Sequence, residues 1–179
     1  MSRSVALLRG VNVGGNKGVK MPALKSLAER LSLGEPRTLL QSGNLVFSSE
    51  GRKSGELESL LEKSIEAELG VQTEVCVRSA AQWSALVAAN PFPEAAARDP
   101  AHLLLVAFKT PPALDAPKRI AEVYDGPERI AVARDHAYIL YPEGMGRSKL
   151  TPALLGRVLG VGTGRNWNTV LKLQEMLAA

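Results

Sequence analysis

The order of periodicities along the first 78 residues constrains the fold more than any other feature of this chain. "SVALLR" (4–9) is apolar on both faces and reads as a central strand. "MPALKSLAERLSL" then puts Met21, Leu24, Leu27, Ala28 and Leu31 on one helical stripe, with Pro22 suited to the first turn. "RTLLQ" (37–41) and "NLVFSS" (44–49) are short strands joined by "SG", a hairpin signal. "SGELESLLEKSIEAELG" is a second amphipathic helix, with Ser54 as the expected N-cap, Leu57, Leu60, Leu61, Ile65 and Leu69 as its stripe, and Gly70 as its stop. "TEVCVR" (73–78) adds a last strand. Strand-helix-strand-strand-helix-strand is the split βαβ, or ferredoxin-like, unit, whose right-handed crossovers put the first and third strands mid-sheet. Those two are "VALL" and "LVF", the most fully apolar runs.

The remainder nearly repeats the order. A linking helix starts at Ser79, with Gln82 completing a capping box, and stops at "NPFP" (90–93). "HLLLVAF" (102–108), a helix near 113–124, "RIAVA" (129–133), "HAYILY" (136–141) and the helix "TPALLGRVLG" (151–160) follow. Where a final strand belongs, "VGTGRNWNTVLKLQEMLAA" reads as a turn and a helix. The expected architecture is α+β: two ferredoxin-like (βαββαβ) halves packed into one compact unit, the second incomplete and carrying an extra C-terminal helix. The boundaries are 1–78 for the first half, 79–100 for a linking helix and loop, and 101–179 for the second half.

Charge is unevenly spread. Residues 1–25 carry Arg3, Arg9, Lys17, Lys20 and Lys25 and no acid; residues 142–179 carry five cations against Glu143 and Glu175. With a net charge of +4, the stretch between is therefore net acidic, and the positive field sits around two sets of glycine-rich loops. No apolar run approaches the roughly 20 residues of a membrane span. The single cysteine, Cys76, cannot form an internal disulfide, and no signal-peptide core precedes the first strand, so a cytoplasmic protein is expected.

Familiar hydrolytic chemistry is missing. His102 and His136 fall at strand starts without metal-ligand spacing, there is no CxxC, HExxH or EF-hand pattern, and no GxSxG elbow. No built-in metal site and no cofactor are specified. Cys76 reads as a buried small hydrophobe, and the acids of the second helix (Glu56, Glu58, Glu62, Glu66, Glu68) as a solvated face.

"GVNVGGNKG" is the most suggestive stretch. Gly10 and Gly15 have the spacing of a phosphate-binding P-loop in a strand-loop-helix context, but Asn16 and Lys17 replace the required Lys and Ser/Thr. The looser mechanism survives: backbone N–H groups around Gly10, Gly14 and Gly15, with Lys17 and Lys20 nearby, form a concave anion nest. In the expected topology this loop lies beside "QSGN", so Arg9, Asn12, Gln41, Ser42 and Asn44 converge at one sheet end. Two later stretches resemble it: Arg147, Ser148 and Lys149 precede one helix, and Arg165, Asn166 and Asn168 open another. Cations at helix N-termini oppose the macrodipole, which an intervening anion would explain.

"LLRGVNVGGNKGVKM", "QSGNLVF", "NPFP", "GRSKLT" and "TGRNWNT", in that order over nearly the whole chain, resemble the bacterial family called domain of unknown function 1697. The resemblance implies a small cytoplasmic protein with a duplicated ferredoxin-like fold and implies no activity, substrate or cofactor. The expected partner is an anionic small molecule, phosphorylated or otherwise, bound at the glycine-rich basic loops. Whether a reaction follows is left open; the available groups suit charge stabilisation. A nucleic-acid (RNA) module is the alternative partner class, although Phe47 is the single aromatic of "NLVFSS" and aromatics make up 4% of the chain. A structural or partner-binding protein is the third. Oligomeric state is not specified.

Overall fold

The computed structural model describes residues 2–15 and 18–179, and among these it forms two four-stranded antiparallel sheets and seven α-helices. The chain divides into one unit of Met1–Val87 with Lys172–Ala179, and a second of Ala88–Leu171. No described helix is long and apolar enough to cross a membrane.

In the first unit the elements are β1 (Arg3–Leu8), α1 (Met21–Arg30), β2 (Gly34–Leu39), β3 (Asn44–Ser48), α2 (Ser54–Leu69), β4 (Val75–Ser79) and α3 (Ala80–Ala88). The sheet order is β2-β3-β1-β4, so the two most apolar runs occupy the middle as expected. Alternate residues of the strands, Ala6 and Leu8, Leu45 and Phe47, Val75 and Val77, face one core. Met21, Leu24, Leu27 and Ala28 of α1 and Leu57, Leu61 and Ile65 of α2 close over it. Each fully buried Leu contributes roughly 1.5–3 kcal/mol. The helix α2 begins at Ser54 itself rather than being capped by it, and ends at Gly70 with φ +67°. Ser79 and Gln82 form the reciprocal bonds of the capping box, 2.8 and 3.2 Å, before α3.

One reading of the sequence is corrected here. Glu58 and Glu62 are not simply a solvated face: Glu58 Oε1 accepts the Val77 N–H and Glu62 Oε1 the Val75 N–H, each at 2.9 Å. Both amides belong to the edge strand β4, so an i,i+4 carboxylate pair covers donors that would otherwise lie open to another strand.

The second unit contains α4 (Pro93–Arg98), β5 (Leu103–Phe108), α5 (Ala116–Val123), β6 (Arg129–Val132), β7 (His136–Leu140), α6 (Pro152–Leu159) and β8 (Gly162–Asn166), with 3-10 turns at Pro100–His102 and Met145–Arg147. Its sheet order, β6-β7-β5-β8, repeats that of the first unit. The expectation of an incomplete second half is therefore overturned: β8 pairs antiparallel with β5 from Leu104↔Asn166 to Phe108↔Gly162. Glycine hid this strand because glycine is disfavoured in strands unless another group approaches closely. That is the case here, since a Cβ on Gly162 would stand 2.4 Å from Val106 Cγ1, and one on Gly164 3.2 Å from Leu104. The core of this unit joins Val106, Phe108, Ala137 and Ile139 of the sheet to Ala116, Ile120, Val158 and Leu159 of α5 and α6.

The last helix, α7 (Trp167–Ala178), starts in the second unit, but its residues from Lys172 onward group with the first, where the sequence boundary had placed them in the second half. Polar contacts hold them: the guanidinium groups of Arg3 and Arg37 both donate to the Met176 carbonyl, at 3.3 and 2.7 Å.

Candidate functional site

At one end of the first sheet, the loop leaving β1 meets the β2–β3 hairpin. Register dictates the meeting, because Leu7 pairs with Asn44 and Leu8 with Val75. The Leu8 N–H donates to the Gly43 carbonyl at 2.8 Å. Asn12 then ties loop to turn: its Nδ2 donates to the carbonyls of Val19 (2.8 Å) and Gln41 (2.7 Å), and its Oδ1 accepts the Val19 N–H (2.9 Å). The loop is thereby pinched at its base, between residues 12 and 19. Gly10, Asn12, Gly14 and Gly15 all have positive φ, between +57° and +77°. A backbone that turns so often faces its N–H groups toward a concavity. Among the described residues no hydrogen bond takes the N–H of Gly10 or of Gly15.

The side chains named from sequence divide into those left for a ligand and those spent on the fold. Arg9 is exposed and pairs with Glu74 at 3.2 Å, a contact worth only about 0–1 kcal/mol at the surface and therefore easily exchanged for an anion. Lys20 is exposed just before α1. Lys17, with Asn16, lies outside the described residues. Asn44 is fully buried, and its amide donates to the Leu39 carbonyl (2.7 Å) and Ser42 Oγ (3.0 Å), so it shapes the turn from within. Gln41 lends its carbonyl to Asn12. Thr73, which the sequence did not flag, completes the site's frame by donating to the Arg9 carbonyl at 2.8 Å.

The six C-terminal candidates belong to the second unit, and the structure gives them different work. Arg147, Ser148 and Lys149 line a cleft of about 260 Å³ with Tyr124, Asp125, Glu128 and Glu143. Two cations face three carboxylates there, so it lacks the positive excess expected from sequence. Ser148 donates to Glu128, which also accepts from Tyr124. Burial acts to raise the Glu128 carboxyl, but the bonds from Ser148 and Tyr124 outweigh it and hold it below its ordinary range. Arg165 is not at a helix start: it sits in β8, buried, with Nη1 on the Gly164 carbonyl at 2.8 Å. Asn166 is the N-cap of α7, its Oδ1 accepting the Thr169 N–H at 3.1 Å, while Asn168 is exposed on the first turn. The α6 terminus is capped by Thr151, whose hydroxyl accepts the Leu154 N–H at 3.2 Å. No anion is needed to explain these helix starts.

Burial also raises all three tyrosines, Tyr138 and Tyr141 to about 12, while burial and then the bond to Glu128 raise Tyr124. An unfolded phenol ionises near pH 10. The native phenols stay neutral above that, so their contribution to stability is fully present below pH 10 and is lost as pH rises toward 12. A spectrophotometric titration at 295 nm is expected to show no tyrosine with a midpoint at 10 in the native protein. A full-amplitude step at 10 before unfolding would contradict it.

His136 is satisfied within the fold, Nδ1 at 2.8 Å from Asp135 and Nε2 at 3.0 Å from the Tyr138 hydroxyl. Cys76 is buried, as expected. In overall fold the chain is similar to the conserved bacterial protein SP0830 from Streptococcus pneumoniae, with a TM-score of 0.74 at 24% identity over 98% of each chain. No curated protein matches it. The family described as "Protein of unknown function (DUF1697)" matches residues 1–138, which include the glycine loop, "QSGN" and "NPFP", and the chain belongs to that family.

Proposed function

We propose that the first unit binds a small phosphorylated or otherwise anionic ligand in the concavity between the Gly10–Gly15 loop and the Gln41–Asn44 turn. We also read each unit as a ferredoxin-like βαββαβ repeat, which is why one such loop stands beside one such hairpin. The observation that carries the proposal is the Asn12 side chain. Its three hydrogen bonds hold a run of positive-φ residues against the hairpin, so the concavity is organised before any ligand arrives. Arg9 and Lys20 supply charge at its rim. Phe47 is buried in the core, so β3 offers no base-stacking surface, and this favours a small ligand over RNA.

Thermal-shift titration of the full chain with inorganic phosphate, nucleotides and sugar phosphates tests the reading. A ligand at 100 times its Kd adds about 2.7 kcal/mol. The Arg9→Ala variant is expected to bind such a ligand about tenfold more weakly with little change in its own melting temperature, as loss of a charge-assisted bond implies. Unchanged affinity would overturn the assignment, and steeply salt-dependent binding of short RNA alone would favour the alternative.

A further inference from the structure

The second unit contains a larger cleft, about 550 Å³, that the anion site leaves unexplained. Its size falls within the range of ligand pockets. One wall is the "NPFP" segment, shaped by Asn90, whose Oδ1 accepts the Phe92 N–H at 3.0 Å. Pro91, Pro93, Leu140 and Pro142 line it with apolar surface, and the buried Phe92 backs the Arg129 side of the wall.

Two polar side chains among its lining residues, Arg129 and His102, bear on what it could hold. The Arg129 guanidinium lies over the Phe92 ring, 4.9 Å from its centroid, and makes no hydrogen bond or ion pair among the described residues. The ring contact restrains the guanidinium and leaves its N–H groups without a protein acceptor among the described residues, and Arg binds a carboxylate through two parallel bonds. His102, also in the lining, has Nδ1 2.8 Å from Asp99 Oδ2. In the neutral ring, with that nitrogen donating to the carboxylate, Nε2 is the acceptor. Gly144, at φ +81°, lies beside this ring, and a Cβ there would stand 3.3 Å from Nε2, so glycine spares the ring that contact. Arg129 pairs with Leu140 and Leu140 with Leu103, next to His102. The two groups thus lie two strand spacings apart, on the order of 10 Å along the backbone. Of the lining charges, Arg98 pairs with Glu94 at 3.7 Å and Asp99 with His102 at 2.8 Å, so Arg129 is the cation left to meet a single negative charge.

We infer that this cleft binds a flat aromatic carboxylate bearing a hydroxyl or amine donor, with Arg129 taking the carboxylate, His102 Nε2 accepting from the donor and Pro91, Pro93 and Pro142 with Leu140 holding the ring. The test uses 4-hydroxybenzoate as probe on the full chain, by calorimetry and by the NMR signals of the His102 ring. The acid is expected to bind about tenfold or more tightly than its methyl ester, as loss of a bidentate charged contact implies. Arg129→Ala should abolish that preference and Arg129→Lys should not restore it. His102→Ala should remove the advantage of 4-hydroxybenzoate over benzoate. Arg129 is exposed and His102 half-buried, and an unchanged melting curve certifies the fold of each variant. Arg9→Ala should leave this binding intact, which separates the cleft from the anion site. Equal binding of acid and ester, wild-type affinity in Arg129→Ala, or displacement of the acid by inorganic phosphate would each overturn the inference.

Discussion

Gly43→Ala is expected to destabilise the first unit by about 2–5 kcal/mol, from roughly 1–2 for the left-handed backbone and 1–3 for overpacking. Gly43 has φ +83°, and a Cβ there would stand 2.7 Å from Val11 Cγ2 and 2.8 Å from Leu8 Cβ. The Leu8 contact decides the magnitude. A Cβ cannot rotate away, so relief requires β1 and the hairpin to separate, and with them the 2.8 Å bond from the Leu8 N–H to the Gly43 carbonyl. Gly14→Ala is the control: φ is +63° but nothing lies within 4 Å, leaving only the backbone term of roughly 1–2 kcal/mol. Urea unfolding should give a midpoint for Gly43→Ala well below that of Gly14→Ala at a similar m-value. Equal midpoints would mean that the turn relaxes without cost. Because the same contact holds loop to hairpin, Gly43→Ala should also weaken any ligand bound between them.

The elements that were legible in the sequence are those whose side chains state their own burial. "VALL" and "LVF" have no polar residue to face water, so their mid-sheet places follow, and the meeting of the Gly10 loop with "QSGN" follows from topology. What stayed hidden depends on neighbours distant in the chain. The glycines of β8 look like a turn until Leu104, Val106 and Phe108 are seen lying across them. Asn44 looks like an available donor until its partners prove to be Leu39 and Ser42 inside its own turn. Arg147 and Lys149 look like an anion site until Asp125, Glu128 and Glu143 arrive in the same cleft. His102 reads only as a strand-start histidine and Arg129 carries no signal, because the cleft joins "NPFP" to the ends of β6 and β7, which are distant in the chain. Charge and glycine content mark candidate loops; partner atoms decide which of their groups remain available.

Glu58 shows the same dependence in reverse, a surface-looking acid with a large structural role. The residue is 7% exposed, and Oε1 receives the Val77 N–H at 2.9 Å. In Glu58→Ala that buried N–H loses its acceptor, which costs about 1–3 kcal/mol and is only slightly offset by the better helix propensity of Ala. Glu58→Gln keeps an acceptor oxygen and should recover most of the loss. Glu62→Ala should cost less, because Glu62 is only half-buried and water can reach the Val75 N–H in its place. The diagnostic measurement is amide exchange: Glu58→Ala should lower protection at Val77 selectively, beyond the fall in global stability, while β1–β4 ladder amides follow the global value. Uniform loss across the strand would show that the carboxylate acts through packing and not as an acceptor. The double variant should also self-associate at high concentration, since it uncovers two alternate donors on an edge strand.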